Sequence, residues 1–279
     1  MNIIGVDVGG TKIRAGRVSG GRIEKLLTIK TNSGAPQHEV MSQITSLIDS
    51  IIDGNTRGIG VAVPAIIDVE SGTAFETTNI ASWTEVPIKK ILEQKYNLPV
   101  RVNNDANCLA LREKHFGTGK NCENFVALTM STGLGAGIIA NGELQSGHNC
   151  GAGEFGRVVF KEHTFEHYCS GKYFLNEHKI SGEELFKKAK RNDSAALNIF
   201  DAYGTNLGKA LAMIVHSTDP ELIILCGSVS KSYKYFEKSM WESLRQSIRR
   251  RSFSRLKIRL SKIKNAGILG AASQFQPEA

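Results

Sequence analysis

The residues best suited to chemistry stand at the start of the chain, where an acid ends an apolar run. Asp7 is the one charged residue in that run, and Gly9-Gly10-Thr11-Lys12 follows it. A buried strand that ends in this way brings backbone N–H groups, a hydroxyl and a metal-binding carboxylate to a phosphate. A plain β-hairpin with a glycine turn would have a similar sequence. The acid favours the phosphate interpretation, because an unpaired buried carboxylate is energetically costly and usually has a function.

The same pattern recurs in the second half of the chain. An apolar strand from Asn124 to Met130 leads into the small-residue turn 131–137, and a second strand and an Asn141-Gly142 hairpin turn follow. Thr132 would donate a hydroxyl, and Gly133 would let the backbone approach phosphate oxygens. The recurrence predicts an internal repeat at domain scale. Two half-sites of this kind would hold the two ends of a phosphate chain.

Another acid, Asp105, lies where a predicted strand (98–102) leads into a predicted helix (106–116). Asp and Asn are favoured N-cap residues, so a cap is one interpretation of Asn104-Asp105. The other is a general base that takes a proton from an attacking alcohol. That role needs a carboxylate at a strand end, close to a phosphate and a hydroxyl together.

A glycine-rich loop carries two further acids, Glu154 and Glu166. Carboxylates suit sugar hydroxyls, because they accept charge-assisted hydrogen bonds, although solvated loop acids would look similar. His163, His167 and Cys169 in the same stretch could indicate a metal. The absence of a Cys-x-x-Cys pair disfavours a thiolate zinc site.

The elements that position these groups alternate between strand and helix. Residues 1–64 are predicted to run β-β-β-α-β, and a buried strand at 222–226 ends at Gly227-Ser228. The stretch 146–174 is predicted to be irregular. The other predicted helices include 194–217, 233–250 and a short C-terminal helix at 267–275, and Ser181 with Glu184 fits a capping box.

Composition excludes several classes of protein. The 279 residues are 41% hydrophobic and 22% charged, as in a globular protein. No apolar run approaches the roughly 20 residues of a membrane span, and no secretory segment opens the chain, so a cytoplasmic location is expected. The five cysteines form no disulfide pattern. The net charge of +8 suits a polyanionic nucleotide, and the basic cluster 249–259 is interpreted as a solvated face rather than a nucleic-acid patch.

Together these motifs resemble the ROK family (repressors, open reading frames and kinases) of the actin-like, hexokinase-like ATPase superfamily. The resemblance covers nearly the whole chain. It is carried, in order, by "GVDVGGTKIRAG", "GVAVPAIID", "TTNIASWTEVPI", "LPVRVNNDANCLAL", "TMSTGLGAGII", "GHNCGAGEFGR", "DPELIILCGSVS" and "AGILGAAS".

The resemblance implies an α/β fold of two RNase-H-like lobes around an interlobe cleft. The N-terminal lobe would span 1–116 and be rejoined by the C-terminal helix at about 266–279. The lobe with the ATP site would span 117–265. The implied activity is phosphoryl transfer from Mg-ATP to a hydroxyl of a hexose, most nearly that of a glucokinase. An N-acetylmannosamine or N-acetylglucosamine kinase and a fructokinase are the alternatives, and a homodimer is implied.

The resemblance also implies a role for each site residue. Asp105 would be the catalytic base and Asp7 the magnesium-side carboxylate, acting through water. Thr78 is a further candidate sugar contact. The residues expected to bind ATP and its phosphates are Asp7, Gly9, Gly10, Thr11, Lys12, Thr132, Gly133, Gly227 and Ser228. Those expected to bind the sugar are Asn79, Asn104, Asp105, Glu154, Arg157 and Glu166.

The chain departs from the family pattern in the sugar loop. Arg157 stands where family members usually have a histidine that touches both the sugar and a structural zinc. The cysteine-rich zinc loop that usually follows is absent, so no zinc is expected. Arg157 would contact the sugar or an acidic group on it, which puts plain glucose specificity in question. Ala65 replaces the usual glycine after Pro64, a small narrowing near the sugar.

Two competing functions follow from the same resemblance. A sugar-responsive repressor of this family needs a DNA-binding domain before the turn at residues 9–12. No such domain is expected here, because Asp7 stands near the start of the sequence. A non-catalytic sugar or nucleotide sensor is the other rival, prompted by Arg157 and the missing zinc loop. Retention of Asp105, Glu154 and both turns argues against the sensor. Neither a nucleic-acid partner nor a membrane is expected.

Overall fold

The computed structural model describes residues 2–77, 79–263 and 266–276. The elements up to residue 116 are β1 (Asn2–Val8), β2 (Lys12–Ser19), β3 (Arg22–Lys30), α1 (Gln37–Asp49), β4 (Thr56–Val63), β5 (Ile66–Asp68), β6 (Thr73–Phe75), β7 (Glu85–Val86), α2 (Ile88–Tyr96), β8 (Val100–Asn104) and α3 (Asp105–Phe116). Those after it are β9 (Phe125–Met130), β10 (Leu134–Ala140), β11 (Glu143–Leu144), β12 (Val159–Phe160), β13 (His163–Thr164), α4 (Phe165–Cys169), α5 (Lys172–His178), α6 (Gly182–Ala189), α7 (Ser194–Thr218), β14 (Leu222–Cys226), α8 (Tyr233–Ser247), α9 (Arg250–Arg255), β15 (Lys257–Leu260) and α10 (Ala266–Ser273).

Two five-stranded sheets share one topology. The first has the order β3-β2-β1-β4-β8 and the second the order β11-β10-β9-β14-β15. In the first, β1 pairs antiparallel with β2 and parallel with β4. In the second, β14 pairs parallel with both β9 and β15. The repeated order confirms the predicted internal repeat and the α/β class, because each hairpin that carries a phosphate turn opens an equivalent sheet.

Close contacts divide the chain into two compact units. The first comprises 1–121, 137–152 and 262–279, and the second comprises 122–136 and 153–261. The predicted division into 1–116 with 266–279, and 117–265, differs from this grouping mainly at 137–152. The functional lobes themselves remain a prediction, and residues 277–279 of the predicted C-terminal segment lie outside the described residues.

The first unit packs helices on both faces of its sheet. Alternate residues of β1 face opposite sides: Ile4 and Val6 join the core formed with α1, whereas Ile3 packs with Ile268 of α10. Gly5 faces the same helix, and a Cβ atom there would collide with the carbonyl oxygen of Ile268. Glycine on this face therefore allows α10 to lie directly on the sheet, which places the end of the chain beside its first strand.

The second unit is built on a fully apolar strand and a long helix. β14 is buried along its whole length, as a strand between parallel neighbours should be. The helix α7 starts where the Asp193 side chain accepts a hydrogen bond from the N–H of Ala196 (2.8 Å). Its buried Tyr203 donates a hydrogen bond to the carbonyl oxygen of Cys169 (2.7 Å) and so fixes the end of α4.

The structure differs from the predicted elements most clearly at two places. The stretch 146–174, predicted to be irregular, contains the hairpin β12–β13 and the short helix α4, and α5 begins within it. The predicted helix 233–250 ends at Ser247, and α9 begins at Arg250. The capping box is confirmed in part, because the Ser181 hydroxyl accepts from the N–H of Glu184 (3.1 Å). Within the residues that the structure describes, no helix is long and apolar enough to cross a membrane.

Candidate active site

The turn at residues 9–12, which is predicted to bind phosphate and is called here the first phosphate turn, is closed by its own backbone. It is braced by Thr31, which directly follows β3. The N–H of Gly9 donates to the carbonyl oxygen of Lys12 (3.0 Å), and the Thr31 hydroxyl donates to the carbonyl oxygen of Gly9 (2.6 Å). Thr31 also donates its N–H to the carbonyl oxygen of Thr11 (3.0 Å). Thr11 and Lys12 themselves are exposed. The turn therefore presents a hydroxyl and an ammonium group from a fixed backbone, as an anion site requires.

Asn79 packs on this turn. A Cβ atom at Gly10 would collide with the Asn79 side chain and lie 2.9 Å from the backbone carbonyl oxygen of Asn79. Glycine at position 10 is thus needed for close approach of the two segments rather than for an unusual φ. The structure brings a residue predicted to bind the sugar into contact with one predicted to bind phosphate. The other candidate in this segment, Thr78, lies outside the described residues.

Asp7 lies at the end of β1 and is mostly buried, with 17% of its side chain exposed. Its Oδ2 accepts a hydrogen bond from the Arg14 guanidinium at 2.7 Å. Burial raises the pKa of the Asp7 carboxyl, and the neighbouring Arg14 offsets part of that rise. A cation near this carboxylate would relieve the cost of burying its charge. Oxygen donors are also what Mg²⁺ prefers, so Asp7 fits a magnesium-side role.

Asn104, rather than Asp105, is the N-cap of α3. The Asn104 Oδ1 accepts from the N–H of Ala106 (2.8 Å), and its Nδ2 donates to the carbonyl oxygen of Ala65 (3.0 Å). Asp105 is the first residue of the helix and is exposed. The capping interpretation therefore belongs to Asn104, and Asp105 presents its carboxylate at the positive end of a helix dipole.

Asp7 and Asp105 share one neighbour, the buried thiol of Cys108 in α3. Burial is the main reason that the pKa of this thiol is raised, and the charges of Asp105 and Asp7 add to the rise. The two carboxylates predicted to act on one reaction thus lie in one part of the first unit. Their adjacency could not be read from the sequence, in which they belong to different motifs.

The turn at residues 131–137, also predicted to bind phosphate and called here the second phosphate turn, is held by Glu166. Glu166 in turn pairs with Lys172. The Glu166 Oε2 accepts from the N–H of Leu134 (3.2 Å), and a Cβ atom at Gly133 would lie 2.8 Å from the same oxygen. The Glu166 Oε1 accepts from Lys172 Nζ (2.9 Å). Glu166, predicted to bind the sugar, therefore also holds the turn. Lys172 was missed by sequence reasoning, since a lysine at the start of a helix has no distinguishing pattern.

A cavity of about 570 Å³ lies in the second unit and contains members of both predicted nucleotide motifs. Thr132 contributes from the second turn and Ser228 from the loop after β14. Phe174, Leu175 and Phe186 supply apolar wall. This volume lies in the range of small-molecule sites, which combine apolar walls with a few polar groups. Gly227 precedes Ser228 with a φ of 89°, a conformation that favours glycine. The apolar wall was not identified from sequence, because such residues also occur in ordinary cores.

Glu154 and Arg157 form an exposed ion pair in the loop before β12. The Arg157 Nε lies 3.1 Å from Glu154 Oε2, and 76% of the Arg157 side chain is exposed. The two side chains leave opposite ends of a single 3₁₀ turn, Phe155–Arg157. The structure thus pairs two residues that were both predicted to bind the sugar. Neither residue contributes to the 570 Å³ cavity.

The chain belongs to the ROK family, because residues 3–278 match that family. It is 31% identical to a glucokinase of Halalkalibacterium halodurans over 82% of this chain and 81% of that protein. It is also 32% identical to the xylose repressor of Bacillus subtilis, over 71% of this chain but only 54% of the repressor. The ROK family glucokinase of Streptomyces griseus, solved with glucose and AMPPNP, superposes with a TM-score of 0.83 at 28% identity, over 98% of this chain and 99% of that one.

These similarities confirm the actin-like ATPase fold that the motifs predicted. Sugar kinases match across most of their own length, which supports a carbohydrate kinase as the general class. The Bacillus subtilis xylose repressor also matches 71% of this chain, so membership of the family by itself does not decide between catalysis and regulation.

Proposed function

We propose that this protein is an ATP-dependent sugar kinase that transfers the γ-phosphate of Mg-ATP to a hydroxyl of a hexose, most nearly as a glucokinase does. The observation that carries the proposal is the cavity of the second unit, where Thr132 and Ser228 meet although their motifs are far apart in sequence. The glucokinases among its relatives support the same function.

ATP would occupy this cavity. Phe174, Leu175 and Phe186 would contact the adenine, and hydroxyls from Ser228 and Ser232 would meet the ribose. Lys172 and the turn at Thr132 would face the phosphates. A lysine at this place would attract polyphosphate, although here it is partly engaged by Glu166.

Mg²⁺ would be held at Asp7 through water, and when bound it would neutralise charge on the phosphates. The chain supplies the rest of the electrostatic stabilisation. The backbone of the Gly9–Lys12 turn is fixed before any substrate arrives, because Thr31 braces it. The exposed Lys12 side chain adds a positive charge beside this turn. Donors that need no reorganisation stabilise developing charge most effectively.

Asp105 would act as the general base. Its carboxylate accepts the proton of the sugar hydroxyl, and the oxygen forms a bond to the γ-phosphorus as the bond to the ADP oxygen breaks. Asn104 positions Asp105, because the cap determines where α3 begins.

The sugar would be recognised by Asn79, Asn104, Glu154, Arg157 and Glu166 together with Asp105. The Glu154–Arg157 pair gives this site a cation where the family usually has a histidine. Glucose, N-acetylmannosamine, N-acetylglucosamine and fructose are therefore the acceptors to compare. A coupled ADP-release assay across these sugars identifies the substrate, and no release with any of them would favour the sensor.

The decisive test of catalysis is Asp105→Asn, with Asp201→Asn as the control, since Asp201 is an exposed acid of α7. We expect Asp105→Asn to lower turnover by roughly 10²–10⁴-fold, the usual contribution of a general base. ATP affinity and thermal stability should stay near those of the control. Normal sugar phosphorylation by Asp105→Asn would contradict the assignment.

A repressor is the second candidate, favoured by the similarity to the Bacillus subtilis xylose repressor. Such a protein would bind specific DNA and release it on binding a sugar. Binding to operator and to scrambled DNA, each over a range of salt concentrations, separates specific recognition from attraction to the basic surface. Sequence-specific binding that responds to sugar, together with no ADP release, would favour the repressor over the kinase.

The proposed homodimer is tested by sedimentation.

A further inference from the structure

We propose that His163, His167 and Glu177 bind one divalent transition-metal ion of the Zn²⁺ class. The three side chains come from β13, α4 and α5. One ligand atom from each lies within 4.8 Å of those of the other two. This site uses none of the cysteines of the family's zinc loop. The absence of that loop led us to expect no zinc, and the present proposal departs from that expectation.

The three groups already interact with one another. The Nε2 of His167 lies 2.5 Å from Oε1 of Glu177, so a hydrogen bond joins the two groups. The His163 ring stacks on the His167 ring, with centroids 4.0 Å apart and planes at 24°. An ion bound here would take the place of this hydrogen bond, with the His163 nitrogen as its third ligand.

The ligand types select the class of metal. Two imidazoles and one carboxylate suit Zn²⁺, Cu²⁺ and Ni²⁺, whereas Mg²⁺ and Ca²⁺ prefer oxygen ligands throughout. A set of three protein ligands leaves a fourth position for water. The other side chains beside the cluster include Tyr168, whose hydroxyl is engaged by Glu162 (3.0 Å).

The fold gives the ion a structural consequence. It would link three short elements, of which β13 has two residues and α4 has five. Glu166 precedes His167 in α4 and holds the second phosphate turn through the N–H of Leu134. A bound ion would therefore stiffen the support of that turn. This consequence rests on the proposed kinase function, whereas the binding of metal does not.

Metal binding is tested on the full chain after dialysis against EDTA. Titration with ZnCl₂ in a calorimeter should show one equivalent bound, and Zn²⁺ should raise the thermal unfolding temperature. His163→Asn, His167→Asn and Glu177→Gln should each weaken Zn²⁺ binding by more than the about 10–100-fold that loss of an outer-shell partner causes. His163 is exposed, so its replacement leaves the fold intact and is the primary variant. His178→Asn, next to the cluster but outside it, is the matched control and should bind as the parent does.

Cobalt(II) then reports the ligand type through its spectrum. Nitrogen and oxygen ligation without a thiolate-to-cobalt band would support the site. Absence of Zn²⁺ binding, equal binding by His163→Asn, or a thiolate band that places the ion on a cysteine would each overturn it. These readouts do not use kinase activity, so failure of the metal site and failure of the proposed function are distinguishable.

Discussion

The carboxylate of Asp7 lies directly against Gly267 in the first turn of α10. A Cβ atom at Gly267 would overlap the Cγ and Oδ2 atoms of Asp7. The same carboxylate also accepts a hydrogen bond from the Arg14 guanidinium at 2.7 Å. The position of the proposed magnesium-side acid therefore depends on a glycine from the end of the chain.

Gly267→Ala should reverse the usual effect of this substitution in a helix. Alanine normally stabilises a helix interior by about 1 kcal/mol over glycine. Here the overlap with Asp7 should cost about 1–3 kcal/mol, as overpacking does, and displace the carboxylate. We expect a lower free energy of unfolding and lower turnover, measured by urea unfolding and ADP release. The control is Gly34→Ala, whose added Cβ would meet nothing within 4 Å. A Gly267→Ala protein as stable and active as that control would contradict the packing argument.

Asp7→Asn should stabilise the protein at neutral pH while abolishing turnover. The folded-state pKa of Asp7 is raised, mainly by burial. Such a group loses its stabilising contribution as pH rises from the unfolded pKa through the folded one. The ionised acid therefore destabilises the fold at neutral pH, and a neutral amide does not. The free energies of unfolding of the parent and of Asp7→Asn should differ most near neutral pH. They should converge toward about pH 4, near the pKa of an Asp in the unfolded chain.

The control for this pH series is Asp201→Asn, which changes an exposed residue of α7 and should leave the free energy of unfolding close to that of the parent. An Asp7→Asn protein less stable than the parent at neutral pH would show that the pairing with Arg14 outweighs burial.

Glu166→Ala should raise the KM for ATP as well as that for the sugar. The carboxylate holds the second phosphate turn through the N–H of Leu134 (3.2 Å), so its loss should loosen the turn. Glu166→Gln keeps an oxygen that can accept this bond and should raise the KM for ATP less. Initial-rate kinetics with each substrate varied measure both constants. Glu184→Ala, at an exposed position in α6, is the control. A rise confined to the sugar KM would restrict Glu166 to sugar binding.

Ser228→Tyr should weaken ATP binding by filling the cavity of the second unit. Ser228 contributes to that cavity of about 570 Å³, and a phenol ring there would occupy space that the nucleotide needs. We expect at least a roughly tenfold loss of ATP affinity, about 1.4 kcal/mol, in equilibrium binding. Sugar binding should be unchanged. Ser254→Tyr, on the exposed face of α9, is the matched control. Equal ATP affinity in both variants would place the nucleotide elsewhere.

Much of the fold could be predicted because its signals are local. The bounds of β14 agree with the predicted strand 222–226, since an apolar run that ends at a glycine defines a buried strand within a few residues. The repeated turns at 9–12 and 131–137 likewise predicted the internal repeat, which two sheets of the same topology confirm. Both phosphate motifs were visible for the same reason, because each is contained in one turn.

Contacts between distant segments could not be predicted in this way. Asn104 and Asp105 are both good capping residues, and only the start of α3 decided that Asn104 caps the helix and Asp105 stays exposed. The interaction of Glu166 with the second turn depends on how α4 packs, and no local pattern specifies that.

The opening motif shows where local sequence ends and tertiary structure begins. The order of residues from Asp7 to Lys12 is enough to predict a strand, a turn and an acid beside a phosphate. It does not contain Gly267, whose lack of a side chain makes room for that acid, nor Asn79, which packs on Gly10. Spacing along the chain determines backbone turns, because they form among neighbours. The burial and position of a carboxylate are set by whichever distant segments pack against it, and only the folded chain brings those segments together.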